Sequence, residues 1–232
     1  MNLYIFPMLL ALIIPLAYAS KYKKEHLENV VVLSLIMVGI TWFYQAVIYL
    51  SDEFSTTGYF IGKFGLFVIA PLISIYYFEK AELKNKKAEI KDILFRCGIR
   101  KDKLILSILL GLLALVATLV ISLVISWGNS GNLSLDWNII MFFEAFNEEF
   151  LFRGVLFLYL WKITEIKVAY ATSILAFILA HPHNFDSLFI ISTIAQGILL
   201  VVVTHKTKNI IGPWISHGLN RVLANVIRAL IF

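Results

Sequence analysis

Apolar and polar positions fall in long alternating blocks along this 232-residue chain, and the blocks predict helices. Eight apolar runs can be marked, at 3–19, 30–50, 60–78, 104–126, 137–161, 168–180, 188–203 and 210–232. Each approaches the ~20 residues that cross a bilayer at a rise of ~1.5 Å per residue. The sixth and seventh are short, which predicts tilting or shelter by protein rather than lipid. The expectation is an all-α fold, a polytopic membrane helix bundle of about eight transmembrane helices.

Composition fits that reading. The chain is 60% hydrophobic and 14% aromatic, with mean hydropathy +0.85, more apolar surface than a soluble domain of this size could hide. No soluble domain is expected. Two parts are: 1–136, N-terminal helices with a basic loop, and 137–232, a helical core that carries the chemistry. There is no internal repeat and no low-complexity tail.

The charge of +5 reports topology rather than nucleic acid, which is not an expected partner. Sixteen of the 20 Lys and Arg residues lie in loops: Lys21, Lys23 and Lys24; nine between Lys80 and Lys103; Lys162 and Lys167; Lys206 and Lys208. The intervening loops contain none. The positive-inside rule makes the basic side cytoplasmic, with both termini outside, in a multi-pass cell-membrane protein. Ala17-Tyr18-Ala19 resembles a signal-peptidase site, but no basic residue precedes the apolar core, and cleavage would strand three lysines outside. A retained first helix is expected. The connector 79–103 predicts a solvated helix with Ile90, Ile93, Leu94 and Ile99 as an apolar edge on the membrane surface. Cys97 is the single cysteine and forms no intrachain disulfide. Gly128-Asn129-Ser130-Gly131 reads as a turn between helices.

Ionisable residues inside the apolar runs change the picture most. Such groups cost several kcal/mol each and persist where they pair, face water or do chemistry. The fifth run holds Glu144, Glu148, Glu149 and Arg153. Glu144 and Glu148 are four apart, as are Glu149 and Arg153, so the second pair is expected to form an internal ion bridge. Glu148 is then left without a local cation, in an environment that suits a general base for water. The sixth run ends at His181-Pro182-His183, where His183 reads as an interfacial residue. The eighth carries His217, Asn220, Arg221, Asn225 and Arg228 along one stripe. Lys63 and Arg228, near helix ends, are expected to snorkel. Counting ~1.5 Å per residue, Glu148 and His181 lie at about 20 Å from the basic side and His217 to Arg221 at roughly 10–17 Å. A carboxylate, two imidazoles and an amide can therefore share one cavity. That set suits peptide hydrolysis, with a carboxylate base, a histidine that orients water, and donors to the oxyanion. Glu148, His181 and His217 would equally suit a zinc site with an open position, and spacing does not decide between the two.

Glu-Glu-x-x-x-Arg (Glu148, Glu149, Arg153), Phe-x-x-x-His (Phe177, His181) and a final His217 shortly before Asn220 resemble the CPBP family. These are the CAAX-processing and bacteriocin-processing intramembrane proteases, also called Abi proteins. The surrounding text, EEFLFRGVLF at 148–157 and TKNIIGPWISHGLN at 207–220, is similar too. The resemblance covers 137–228. It implies that Glu148 activates water with His181, that His217 and an amide partner hold the oxyanion, and that Glu149 and Arg153 support them. It implies substrates that are peptides or lipidated or membrane-anchored proteins. Members are treated both as metalloproteases and as glutamate proteases, so a divalent metal such as zinc stays open. The usual final motif is His-x-x-x-Asn. Here Arg221 stands four after His217, and either it or Asn220 is left to fill the amide role. The alternative class is a non-catalytic membrane protein, such as a bacteriocin immunity factor, that binds through the same polar core. No His-Glu-x-x-His is present, which argues against a site-2 type metalloprotease.

Overall fold

The computed structural model describes residues 5–82 and 89–232, and among these every regular element is helical. A tight 3-10 segment (Phe6–Leu12) leads into α1 (Ile13–Tyr22), followed by α2 (Leu27–Phe64), α3 (Ala70–Glu82), α4 (Ile90–Arg96), α5 (Leu104–Ile125) and α6 (Leu135–Glu149). A widely wound stretch (Phe150–Tyr159) joins α6 to α7 (Leu160–Ile163), and α8 (Ile166–Leu179), α9 (Phe189–Thr207) and α10 (Ile211–Ile231) complete the bundle. The expectations for Lys84, Lys86 and Lys87 lie outside the described residues.

The second and third apolar runs are continuous in helix but not in direction. Phe54 (φ −121°, ψ 16°) and Ser55 (φ 57°, ψ −148°) leave helical geometry inside α2. The Tyr44 and Tyr59 hydroxyls then meet at 3.3 Å. In a straight helix fifteen residues would separate them by about 22 Å. The segment is therefore a hairpin of two helices. Among the described residues, three stretches are long and apolar enough to cross a membrane: Lys24–Tyr77, which contains this hairpin, Leu104–Ile125 and Phe189–Thr207. Phe6–Tyr22 and Ile166–Leu179 are shorter apolar helices. α6 and α10 carry several of the buried polar side chains, among them Glu144, Glu148, Glu149, His217 and Asn220.

The centre of the bundle is the rod from α6 to α7. All ten residues of Phe150–Tyr159 are buried, so protein rather than lipid sheathes it. Leu160 N–H reaches Val155 O, five residues back, which marks the wider winding. Phe67, Phe152 and Phe177 form edge-to-face contacts around it, at centroid separations of 6.3 Å and 5.4 Å. α5 packs through a stripe of small residues, Ser107, Gly111, Ala114, Thr118 and Ser122, all buried. A Cβ on Gly111 would overlap the backbone of Gly212 in α10, so the two helices meet at a distance that only glycine permits.

The connector departs from expectation. Ile90 is exposed, but Ile93 and Cys97 are fully buried against the bundle, so α4 docks into the core instead of only lying on the membrane surface. The described basic loops gather at one end, where Ile210 N–H bonds Gly98 O at 3.0 Å and Asn209 Nδ2 bonds Arg100 O at 2.6 Å. At the other end Asn225 joins the 127–134 turn, donating to Asn132 O at 2.8 Å and accepting from Asn132 N at 3.1 Å.

Candidate active site

Four helical elements bring the embedded polar residues to one cavity of about 530 Å³. α6 supplies Glu144, Glu148 and Glu149. The second arm of the α2 hairpin supplies Tyr59 and Lys63. His181 follows the end of α8, and α10 supplies His217, Asn220 and Arg221. Trp137, Asn184 and Arg228 line the same cavity, so its mouth lies at the end away from the basic loops.

The two oxygens of Glu148 face different chemistry. Oε1 accepts from Lys63 Nζ at 2.5 Å and from Arg221 Nη2 at 3.0 Å. Among the described residues no hydrogen-bond donor reaches Oε2, which stands 3.6 Å from His181 Nε2 and 3.8 Å from His217 Nε2. Glu144, fully buried, is ion-paired with both Lys63 and Arg221. The absence of a cation beside Glu148, expected from helical spacing within α6, is therefore corrected. Its cations come from elements 85 and 73 positions away. Lys63 does not snorkel either. It is 4% exposed, with Nζ 3.1 Å from the Tyr59 hydroxyl and 5.1 Å from the centre of the Phe67 ring.

Glu149 lies behind this pair and holds two partners. Its Oε2 sits 3.2 Å from Arg153 Nε, the bridge expected from the i,i+4 spacing, with both side chains fully buried. Its Oε1 lies 2.8 Å from His217 Nδ1. Arg153 also donates Nη2 to Gln196 O at 3.3 Å and lies 4.1 Å above the Phe177 ring. His181 Nδ1 is 2.8 Å from Phe177 O. A carbonyl only accepts, so the hydrogen of neutral His181 is on Nδ1 and its Nε2 offers a lone pair. Glu149 imposes the same tautomer on neutral His217. Both imidazoles therefore present acceptors toward Glu148 Oε2.

Asn220 and Arg221 divide the last position. Asn220 is buried and lines the cavity, but its Nδ2 donates to Ser122 Oγ at 3.2 Å. Arg221 is the residue whose fork reaches the carboxylates. His183 is exposed at the mouth, its ring 5.7 Å from that of His181. Arg228 lines the mouth and donates Nε to Ala224 O at 3.0 Å.

Sequence reasoning missed Lys63, Tyr59 and Tyr44 as parts of the site. One signal was available: Tyr59, Lys63 and Phe67 are spaced by four, on one helix face, and Lys63 is the sole lysine within an apolar run. Counting charges, three buried acids (Glu144, Glu148, Glu149) meet three buried or half-buried cations (Lys63, Arg153, Arg221). Among the described residues, no three His, Cys, Asp or Glu side chains are gathered closely enough to hold a metal ion.

Residues 129–223 match the family described as type II CAAX prenyl endopeptidase Rce1-like, about two fifths of the chain and the part that holds Glu148, Glu149, Arg153, Phe177, His181, His217 and Asn220. No curated protein and no solved structure matches the chain.

Proposed function

We propose that this domain of the CAAX-protease family is a glutamate-type intramembrane endopeptidase, acting on peptides or on lipidated or membrane-anchored proteins. The family match supports endopeptidase activity in general. The observation that carries the finer reading is the division of Glu148, with cations on Oε1 and two imidazole acceptors facing Oε2. A water there can donate one hydrogen to Oε2 and the other to an Nε2, which aims its lone pair into the cavity. Glu148 takes the proton as the water oxygen bonds to the scissile carbonyl carbon. The negative charge then moves from Glu148 to the carbonyl oxygen. Lys63 and Arg221, released from a neutral Glu148, follow it and stabilise the oxyanion. Collapse breaks the C–N bond, and protonated Glu148 returns its proton to the leaving amine. In this reading neutral His217 orients water rather than donating to the oxyanion, since its hydrogen is committed to Glu149.

The charge balance of the site argues against a resident divalent metal. Lys63 and Arg221 already occupy one side of Glu148, and the cluster is neutral, so a metal ion would add two uncompensated positive charges to a buried site. By the positive-inside rule the basic end is cytoplasmic, both termini are outside, and the cavity opens outside. Comparing membrane peptidomes of cells that carry the wild type and Glu148→Gln tests the proposal. Fragments that appear only with the wild type are expected. Identical peptidomes, with any phenotype retained in the variant, would favour a non-catalytic binding or immunity protein.

A further inference from the structure

A second recess, of about 300 Å³, lies at the basic end of the bundle, remote from the cavity. Arg96, Arg100, Lys162 and Lys208 line it, with Phe95 and Trp161 as aromatic walls, and none of its described lining residues is acidic. Cations that served only to set topology would be solvated on loop surfaces. Here they are built into a fixed shape. Gly98, at φ +86°, accepts from Ile210 N, and a Cβ on it would stand 2.7 Å from Leu158 Cδ1 and 2.9 Å from Ile210 Cγ2. Asn209 closes the same junction, with its Nδ2 on Arg100 O and its Oδ1 accepting from Ile211 N at 2.8 Å.

Two lysines next to this junction, Lys103 and Lys208, adopt left-handed backbone angles, φ 53° and 57°. Lys208 caps the C-terminus of α9, a position that glycine or asparagine fills without strain. Lysine there holds its ammonium 3.6 Å from the centre of the Trp161 ring. Burial, with Lys103 and Arg100 nearby, pushes the Lys208 pKa down to about 8, so this cation sits where an anion would relieve it. Arg100 uses Nε on Asp102 at 2.8 Å and stacks 3.8 Å above the Phe95 ring, which fixes its plane at the recess wall. Tryptophan and lysine together mark the headgroup level of a bilayer.

We propose that this recess binds a phosphate group, held by Arg100 and Lys208 over Trp161, as carried by an anionic lipid headgroup on the basic face of the membrane. The test uses the full chain purified in zwitterionic detergent, with phosphatidylglycerol or inorganic phosphate added. Two quantities are read, the thermal midpoint and the number of phosphatidylglycerol molecules retained in native mass spectrometry. The wild type should show a raised midpoint and retain one lipid more than Lys208→Asn. That substitution removes the charge while suiting the left-handed backbone, so unliganded Lys208→Asn should be at least as stable as the wild type. Its lipid-induced rise should fall severalfold, as should that of Arg100→Gln, while Lys208→Arg keeps most of it. A rise with inorganic phosphate equal to that with lipid would assign the phosphate to a soluble source. Equal lipid counts and equal rises in the wild type, Lys208→Asn and Arg100→Gln would overturn the proposal.

Discussion

Lys63→Met tests how the buried cluster is held together. Methionine keeps the length and apolar stem of lysine but removes the charge that bridges Glu144 and Glu148. Arg221 would then face both carboxylates alone, leaving one uncompensated negative charge in a site where Glu144 is 0% and Glu148 3% exposed. Breaking a buried pair by removing one partner costs ~3–5 kcal/mol. For a chain of this size that corresponds to a fall in thermal midpoint of roughly 6–20 °C. The cause is excess charge and not lost volume, so adding Glu144→Gln to Lys63→Met should restore neutrality and recover more than half of the loss. The two substitutions would then be coupled by at least ~2 kcal/mol, in the upper part of the range for residues in one ion-pair network or beyond it. Thermal unfolding of the detergent-purified protein, followed through the reactivity of the fully buried Cys97 thiol, measures all four corners of the cycle. A single variant within a degree of the wild type, or two strictly additive losses, would refute the reasoning and return Lys63 to a snorkelling role.

Three further outcomes are expected. Arg153→Ala strands Glu149 in a site where both are fully buried, and should lower the midpoint by a similar amount, with ~3–5 kcal/mol lost; an unchanged melting curve would show that the bridge does not matter. Gly212→Leu forces α5 and α10 apart at Ser107 and Gly111 and should cost ~1–3 kcal/mol or more, read as lower abundance in membranes by immunoblot, whereas Gly39→Leu, with nothing near its Cβ position, should not. In a Cys97→Ala background, Lys101→Cys should react with a membrane-impermeant thiol reagent only after the cytoplasmic face is opened, and Ser130→Cys should react in intact cells; the reverse pattern would invert the topology.

What was legible in the sequence follows from range. Helix positions and the Glu149–Arg153 bridge depend on neighbours within a few residues, and periodicity reads those well. His181, His217 and Glu148 were brought together by matching depths counted along each run from the basic side, and one cavity does hold all three. Lys63 was lost because a single lysine near a helix end is explained by snorkelling, and its partners are 81 and 85 positions away (Glu144 and Glu148). The turn at Phe54 and Ser55 was expected as a loop, but its tightness, which brings Tyr44 to Tyr59, depends on packing between the two arms. The wide winding of Phe150–Tyr159 has no periodic signature, since every residue in it is buried. The histidine tautomers depend on Phe177 O and Glu149, and only coordinates supply those contacts.

In the proposed mechanism Glu148 deprotonates water without help from a metal. The most direct measurement is cleavage by the purified full chain of a peptide identified from the membrane peptidome, run with Glu148→Gln beside the wild type, each with and without a chelator. A loss of ~10²-fold or more is expected in Glu148→Gln, assayed well below its lowered thermal midpoint so that the variant stays folded, with a wild-type rate that the chelator leaves intact. Wild-type cleavage that the chelator abolishes and a divalent ion restores, or a Glu148→Gln variant that still cleaves at the wild-type rate, would contradict it.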